Sequence, residues 1–67
     1  MKVDNSKLQI ALATACVNPY DLCKETGIQY QTYNRIARGY NCKPATVGRI
    51  AKALNVAVCD LLELESD

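Results

Sequence analysis

The chain has 67 residues and a formal net charge of +1. That is one domain at most, and a domain this small buries only roughly 60% of the surface its unfolded chain exposes. With 49% hydrophobic residues and no Trp, Phe or His, it is too apolar for a disordered tail and has no imidazole for acid–base chemistry.

The first helix signal lies at Val3-Asp4-Asn5. Asp4 or Asn5 suits an N-cap, and Val3 is placed to staple onto Leu8. Leu8, Ala11, Leu12 and Ala15 recur at helical spacing and predict a helix over about residues 5–16. Asn18-Pro19 starts a second: Asn18 caps, Pro19 takes the first helical position, and Asp21 falls where the helix dipole favours an anion. Gly27, which tolerates a left-handed backbone, ends this helix, giving about 19–26 with Leu22 and Cys23 inward.

After Ile28 a third helix runs from Tyr30 to Arg38, stopped by Gly39. Tyr33 and Ile36, three apart, face the core. Tyr30, Gln31, Thr32, Asn34, Arg35 and Arg38 are left outward, a polar face without an acid. Tyr40 to Lys43 reads as a loop, and Pro44 opens a fourth helix with Val47, Ile50, Ala51 and Leu54 as its apolar stripe. Arg49 and Lys52 point away as solvated charges, and Asn55 closes the helix. A short fifth helix over about 58–64 carries Leu61 and Leu62, and the tail 65–67 is expected to fray. No alternating strand and no hairpin dipeptide is visible.

No apolar run approaches the ~18–20 residues of a membrane span, and MKVDNSK does not read as a signal peptide, so a cytoplasmic location is expected. Without an export signal, and with Cys16, Cys23 and Cys59 at inward helical positions, the four cysteines read as reduced, mostly buried thiols. Neither paired CxxC spacing nor histidine is present, so no zinc site is expected. An enzyme is not expected either, for want of a base, a Gly-rich phosphate loop or a carboxylate pair. No cofactor and no small-molecule ligand is indicated.

Charge is unevenly distributed. Lys2, Lys7 and Lys24 balance Asp4, Asp21 and Glu25 in the first third. Residues 26–55 carry Arg35, Arg38, Lys43, Arg49 and Lys52 with no acid, and residues 56–67 carry Asp60, Glu63, Glu65 and Asp67 with no base. A basic middle and an acidic end suit a protein with one phosphate-facing side.

The stretch Leu22 to Gly39, LCKETGIQYQTYNRIARG, resembles the helix-turn-helix of the Cro and lambda-repressor-like family, also called the XRE type. Lys43 to Val56, KPATVGRIAKALNV, looks like that family's fourth helix, and Val58-Cys59-Asp60-Leu61-Leu62 resembles its fifth. The resemblance covers nearly the whole chain in order. It implies an all-α, compact five-helix lambda-repressor-like DNA-binding domain over 1–67, with the helix-turn-helix unit at about 19–38. The implied function is a sequence-specific transcriptional regulator, acting as a homodimer on a palindromic operator in double-stranded DNA.

Matched position by position, Tyr30, Gln31 and Arg35 fall where the family reads base edges, flanked by Thr32 and Asn34. Gln pairs bidentately with adenine and Arg with guanine. Arg38, Asn41 and Lys43 fall near the family's phosphate-contacting loop. The departures from the pattern are specific. Pro19 stands where the family often has a phosphate-touching Gln, so that contact is either lost or passed to Asn18 or Tyr20. Gln29 replaces a capping Ser or Thr, Cys16 a frequent Gly, and Tyr33 a frequent Ile or Val. Leu61, Leu62 and Leu64 read as core, with some apolar surface open to dimerisation. The modest net charge and Pro19 motivate an alternative, a protein-interaction, adaptor or antitoxin-like module on the same fold.

Overall fold

A computed structural model describes residues 1–63 of the chain. Four α-helices and a 3-10 turn follow one another: α1 Asn5–Ala15, α2 Pro19–Thr26, α3 Tyr30–Ala37, α4 Pro44–Leu54 and the turn Val58–Asp60. The domain is all-α, and among the described residues no helix is long and apolar enough to cross a membrane.

Each helix is delimited by the residue chemistry at its ends. Asp4 caps α1, its carboxylate accepting from the Lys7 amide at 3.1 Å. Asn18 caps α2 through a 2.8 Å bond from the Asp21 amide to Oδ1, and Pro19 fills the first helical position, where no N–H is needed. Gly27 follows α2 with φ +74 and donates its N–H to the Cys23 carbonyl. After α3, Gly39 at φ +90 bonds Ile36 and Tyr40 bonds Arg35, the paired closure in which a left-handed residue satisfies the last carbonyls. Asn55 closes α4 in the same way, with φ 57 and bonds from Asn55 and Val56 back to Lys52 and Ala51.

The core gathers Val3, Leu8, Leu12, Leu22, Ile36, Val47, Ile50, Leu54 and Leu61, with Tyr33 among them. Helix α2 packs against both α3 and α4, and α1 packs against α4. Val3 and Leu8 are both buried, as the staple requires.

Three expectations are corrected. The fifth helix over about 58–64 is, within the described residues, a single 3-10 turn; Leu64 and the tail 65–67 lie outside them. Asp60 accepts from the Ala57 amide at 3.3 Å, and the Asp60 and Leu61 amides reach back three residues to Ala57 and Val58, which tightens the segment into i,i+3 closure. Leu61 is buried and half-buried Leu62 packs against the core, as expected; what was not expected is that Leu62 pairs in extended form with Val3 as an isolated antiparallel bridge. The sequence showed no alternating pattern here because only one residue pair is involved. The segment 1–4 is hydrogen-bonded on both edges. Asp4 N–H reaches the Leu61 carbonyl and Glu63 N–H the Lys2 carbonyl, while Met1 and Cys42 exchange two backbone bonds of 2.8 and 3.2 Å. It therefore ties the α3–α4 loop to the C-terminal turn.

The cysteines form the third correction. Cys16 and Cys59 are exposed, whereas Cys23 is half-buried against the core, as its inward position requires, and Cys42 is half-buried too; all four are free thiols. Cys16 sits one residue past α1 in the left-handed region at φ 57, so its side chain leaves the helical register that would have turned it inward. Cys59 lies in the 3-10 turn, where the α-helical spacing does not apply.

Candidate nucleic-acid interface

Two helices of eight residues each, α2 and α3, meet across Gly27-Ile28-Gln29. The left-handed Gly27 reverses the chain at once, and a Cβ there would meet nothing within 4 Å, so the requirement is one of backbone angle rather than space. Thr26 closes the corner, its hydroxyl donating to the Leu22 carbonyl at 2.7 Å and accepting from the Ile28 amide at 3.4 Å. Half-buried Ile28 packs onto the core behind it.

Helix α3 divides sharply. Tyr33 and Ile36 are 4% and 2% exposed. On the opposite side Tyr30, Gln31, Thr32, Arg35 and Arg38 are exposed and Asn34 is half-buried. Gln31, Thr32, Asn34, Arg35 and Arg38 line one shallow open depression with Gln29. An adjoining depression brings Thr32 and Arg35 together with Asn41, Lys43 and Thr46. The residues expected at base edges and those expected at the phosphate loop thus form one continuous surface of amides, hydroxyls and guanidinium groups. Among the described residues its lining contains no acid.

Gln29 makes no side-chain cap bond to α3, in keeping with its poor capping chemistry. Its amide is consequently available to the depression, as is Thr46 from the first turn of α4. Neither was expected at the interface from sequence, although Gln29 directly precedes the polar face and Thr46 lies three residues after Lys43. Asn18 is partly committed: its Oδ1 holds the α2 cap, leaving its amide NH2 as the outward donor. Arg49 and Lys52 lie elsewhere, in a shallow hollow with Glu25, Thr26 and Ala53.

The tyrosines form an arrangement the sequence did not disclose. Tyr20, from the first turn of α2, stacks on Tyr30, the first residue of α3, with ring centroids 4.6 Å apart and planes within 5°. Tyr30 in turn lies 6.0 Å from Tyr33 at 27°. Hydrogen bonding with the Tyr20 hydroxyl, reinforced by its charge when ionised, pushes the Tyr30 phenol above its usual value. Burial pushes the Tyr33 phenol up, and its hydroxyl has no hydrogen-bond partner among the described residues. Burial also raises the Cys23 and Cys42 thiols above their ordinary value. Among the described residues no three His, Cys, Asp or Glu side chains gather as a metal set.

A short helix, a glycine corner and a second helix held by two core residues while its other side stays open make a helix-turn-helix. The family model for the Cro/C1-type helix-turn-helix DNA-binding domain matches residues 7–67, and the chain belongs to that family. Its function is that of a sequence-specific DNA-binding transcriptional regulator. No curated protein and no solved structure matches the chain.

Proposed function

We propose that the protein regulates transcription by laying α3 in the major groove of double-stranded DNA. Tyr30, Gln31, Thr32, Asn34 and Arg35 then face base edges, and Asn18, Tyr20, Arg38, Asn41 and Lys43 face the flanking phosphates. In this reading the domain is a lambda-repressor-like arrangement in which the 3-10 turn stands at the place of the fifth helix. It works in the cytoplasm as a homodimer on a palindromic operator, since one short helix reads too few base pairs to select a site alone.

The observation that carries the reading is the surface shared by α3 and the α3–α4 loop, whose lining among the described residues is polar and basic. Arg35 sits at its centre, lining both depressions. Guanidinium and amide groups there match the donor and acceptor pattern of the major groove, and Lys43 supplies charge without base preference.

Selection of bound sequences from random duplex DNA, followed by fluorescence titration of the selected duplex, tests this. Arg35→Ala is expected to cost about 1–3 kcal/mol at the selected site and to relax preference at one base pair per half-site. Half-sites about one helical turn apart would accord with the dimer. Failure to enrich any sequence, or full affinity in Arg35→Ala, would overturn the assignment.

A further inference from the structure

The Tyr20–Tyr30 pair places exposed aromatic rings beside a hydrogen-bonding surface. Tyr20 is 68% and Tyr30 39% exposed, whereas the large aliphatic side chains of α2 and α3, Leu22 and Ile36, are almost completely buried. Exposed aromatic rings in a chain this short require an account, because the core had every opportunity to take them in.

The pair is also stacked onto the core. Tyr30 lies between the solvent-facing ring of Tyr20 and the buried ring of Tyr33, so three rings step outward from the core to the surface. A near-parallel contact at 4.6 Å covers one face of Tyr30 and leaves its edge as the part offered outward. With a face of Tyr30 already occupied, the pair is poorly arranged to sandwich an unstacked base. Its position is equally specific. The N-terminal residues of a groove-binding helix lie closest to the bases, and the preceding helix crosses the backbone beside them. Tyr30 begins α3 and Tyr20 lies in the first turn of α2.

The floor of the major groove presents one apolar group, the C5-methyl of a pyrimidine; every other distinguishing feature is a donor or an acceptor. We propose that the Tyr20–Tyr30 stack packs against a pyrimidine C5-methyl, making this pair a specificity determinant at one position of each half-site. The inference rests on the DNA-binding reading above and deepens it. Two bases carry the required group, thymine and 5-methylcytosine, and both offer the same methyl to the same ring edge.

The test uses the full chain and the selected duplex. Each thymine is replaced in turn by deoxyuridine, which removes only the methyl, and each cytosine in turn by 5-methylcytosine, which adds one. At one position per half-site, loss of the methyl is expected to weaken binding about fourfold, the factor for burying one methylene-sized group. If the favoured base is 5-methylcytosine, the same factor appears as a gain at a cytosine instead. Tyr30→Ala and Tyr20→Ala abolish the difference between the paired duplexes, while Tyr30→Phe, which keeps the ring, retains it. Thermal melts establish that the alanine variants fold, as substitutions at exposed positions should.

Equal binding of methylated and unmethylated duplexes at every position overturns the proposal, as does a preference that persists in both alanine variants. Tighter binding of single strands than of duplex also overturns it, in favour of base stacking on Tyr20. Failure of the unaltered protein to retain any duplex is a different result, and removes the DNA-binding reading itself.

Discussion

Tyr33 carries a hydroxyl that the fold does not use. The ring is 4% exposed and packs with Ile36 in the core, while its oxygen is sealed from solvent and has no hydrogen-bond partner among the described residues. Tyr33→Phe removes that oxygen and changes nothing else in shape. An unsatisfied buried polar group costs about 1–3 kcal/mol. Against this stand only a few lost dispersion contacts, each worth about 0.1–0.2 kcal/mol. The variant is therefore expected to be more stable by about 1 kcal/mol, raising Tm by about 4–8 °C for a domain of this size. Thermal and urea unfolding followed by circular dichroism measure it. A second signature comes from pH. Burial raises the Tyr33 phenol in the fold above its ordinary value of 10.0, so the folded state holds the proton more tightly than the unfolded chain. The stability linked to that proton is complete below pH 10 and is lost as pH rises through the folded value. Phe has no proton to lose, so the alkaline decline above about pH 10 should be shallower in the variant. A lower Tm in Tyr33→Phe would refute the reasoning, because it would mean the hydroxyl makes a bond worth keeping.

Further expectations follow from individual positions. Cys16→Gly relieves a non-glycine residue at φ 57 whose side chain is exposed; removing about 1 kcal/mol of backbone strain, partly offset by the greater freedom of unfolded Gly, leaves a small rise in Tm. Asp4→Ala deletes the α1 cap bond and should lower stability by about 1 kcal/mol in urea titrations. Lys43→Ala should weaken all duplexes alike and flatten the dependence of log affinity on log salt by about one unit, while selectivity stays as it was. The Glu63 carboxylate comes within 3.7 Å of where a Cβ on Gly39 would stand, and Glu63 lines a hollow with Asn41. Glu63→Gln should accordingly strengthen DNA binding by about 0.5–1 kcal/mol at low salt, a gain that disappears in high salt.

What the sequence made legible was local. Pro19, Gly27, Gly39, Pro44 and Asn55 each mark a position where the backbone has one acceptable solution, and each stands at a helix end. The inward pair Tyr33 and Ile36 followed from spacing alone. The exposed positions of the polar face followed as their complement. The 3-10 turn was not legible, because Val58, Leu61 and Leu62 keep an i,i+3 or i,i+4 spacing that either kind of helix satisfies. Nor was the Val3–Leu62 bridge, since a single residue pair has no period. Cys16 misled because helical register was carried one residue beyond the helix. The aromatic stack escaped because Tyr20 and Tyr30 are ten residues apart, and only the angle set at Gly27 brings their rings together.

The two faces of α3 also bind stability to recognition. Eight residues without a side-chain cap do not hold a helix in water; isolated helices shorter than ~12–15 residues are marginal even with good helix formers. The helicity of α3 therefore comes from Tyr33 and Ile36 packing beneath it, not from the residues that face outward. Gln31, Thr32 and Arg35 are presented in register only while that packing lasts. A core substitution remote from DNA, such as one at Leu22 or Val47, thus lowers affinity in proportion to the population of folded α3. A substitution on the outer face lowers affinity with no change in melting. The two classes are separable by comparing each variant's loss of binding with its loss of stability.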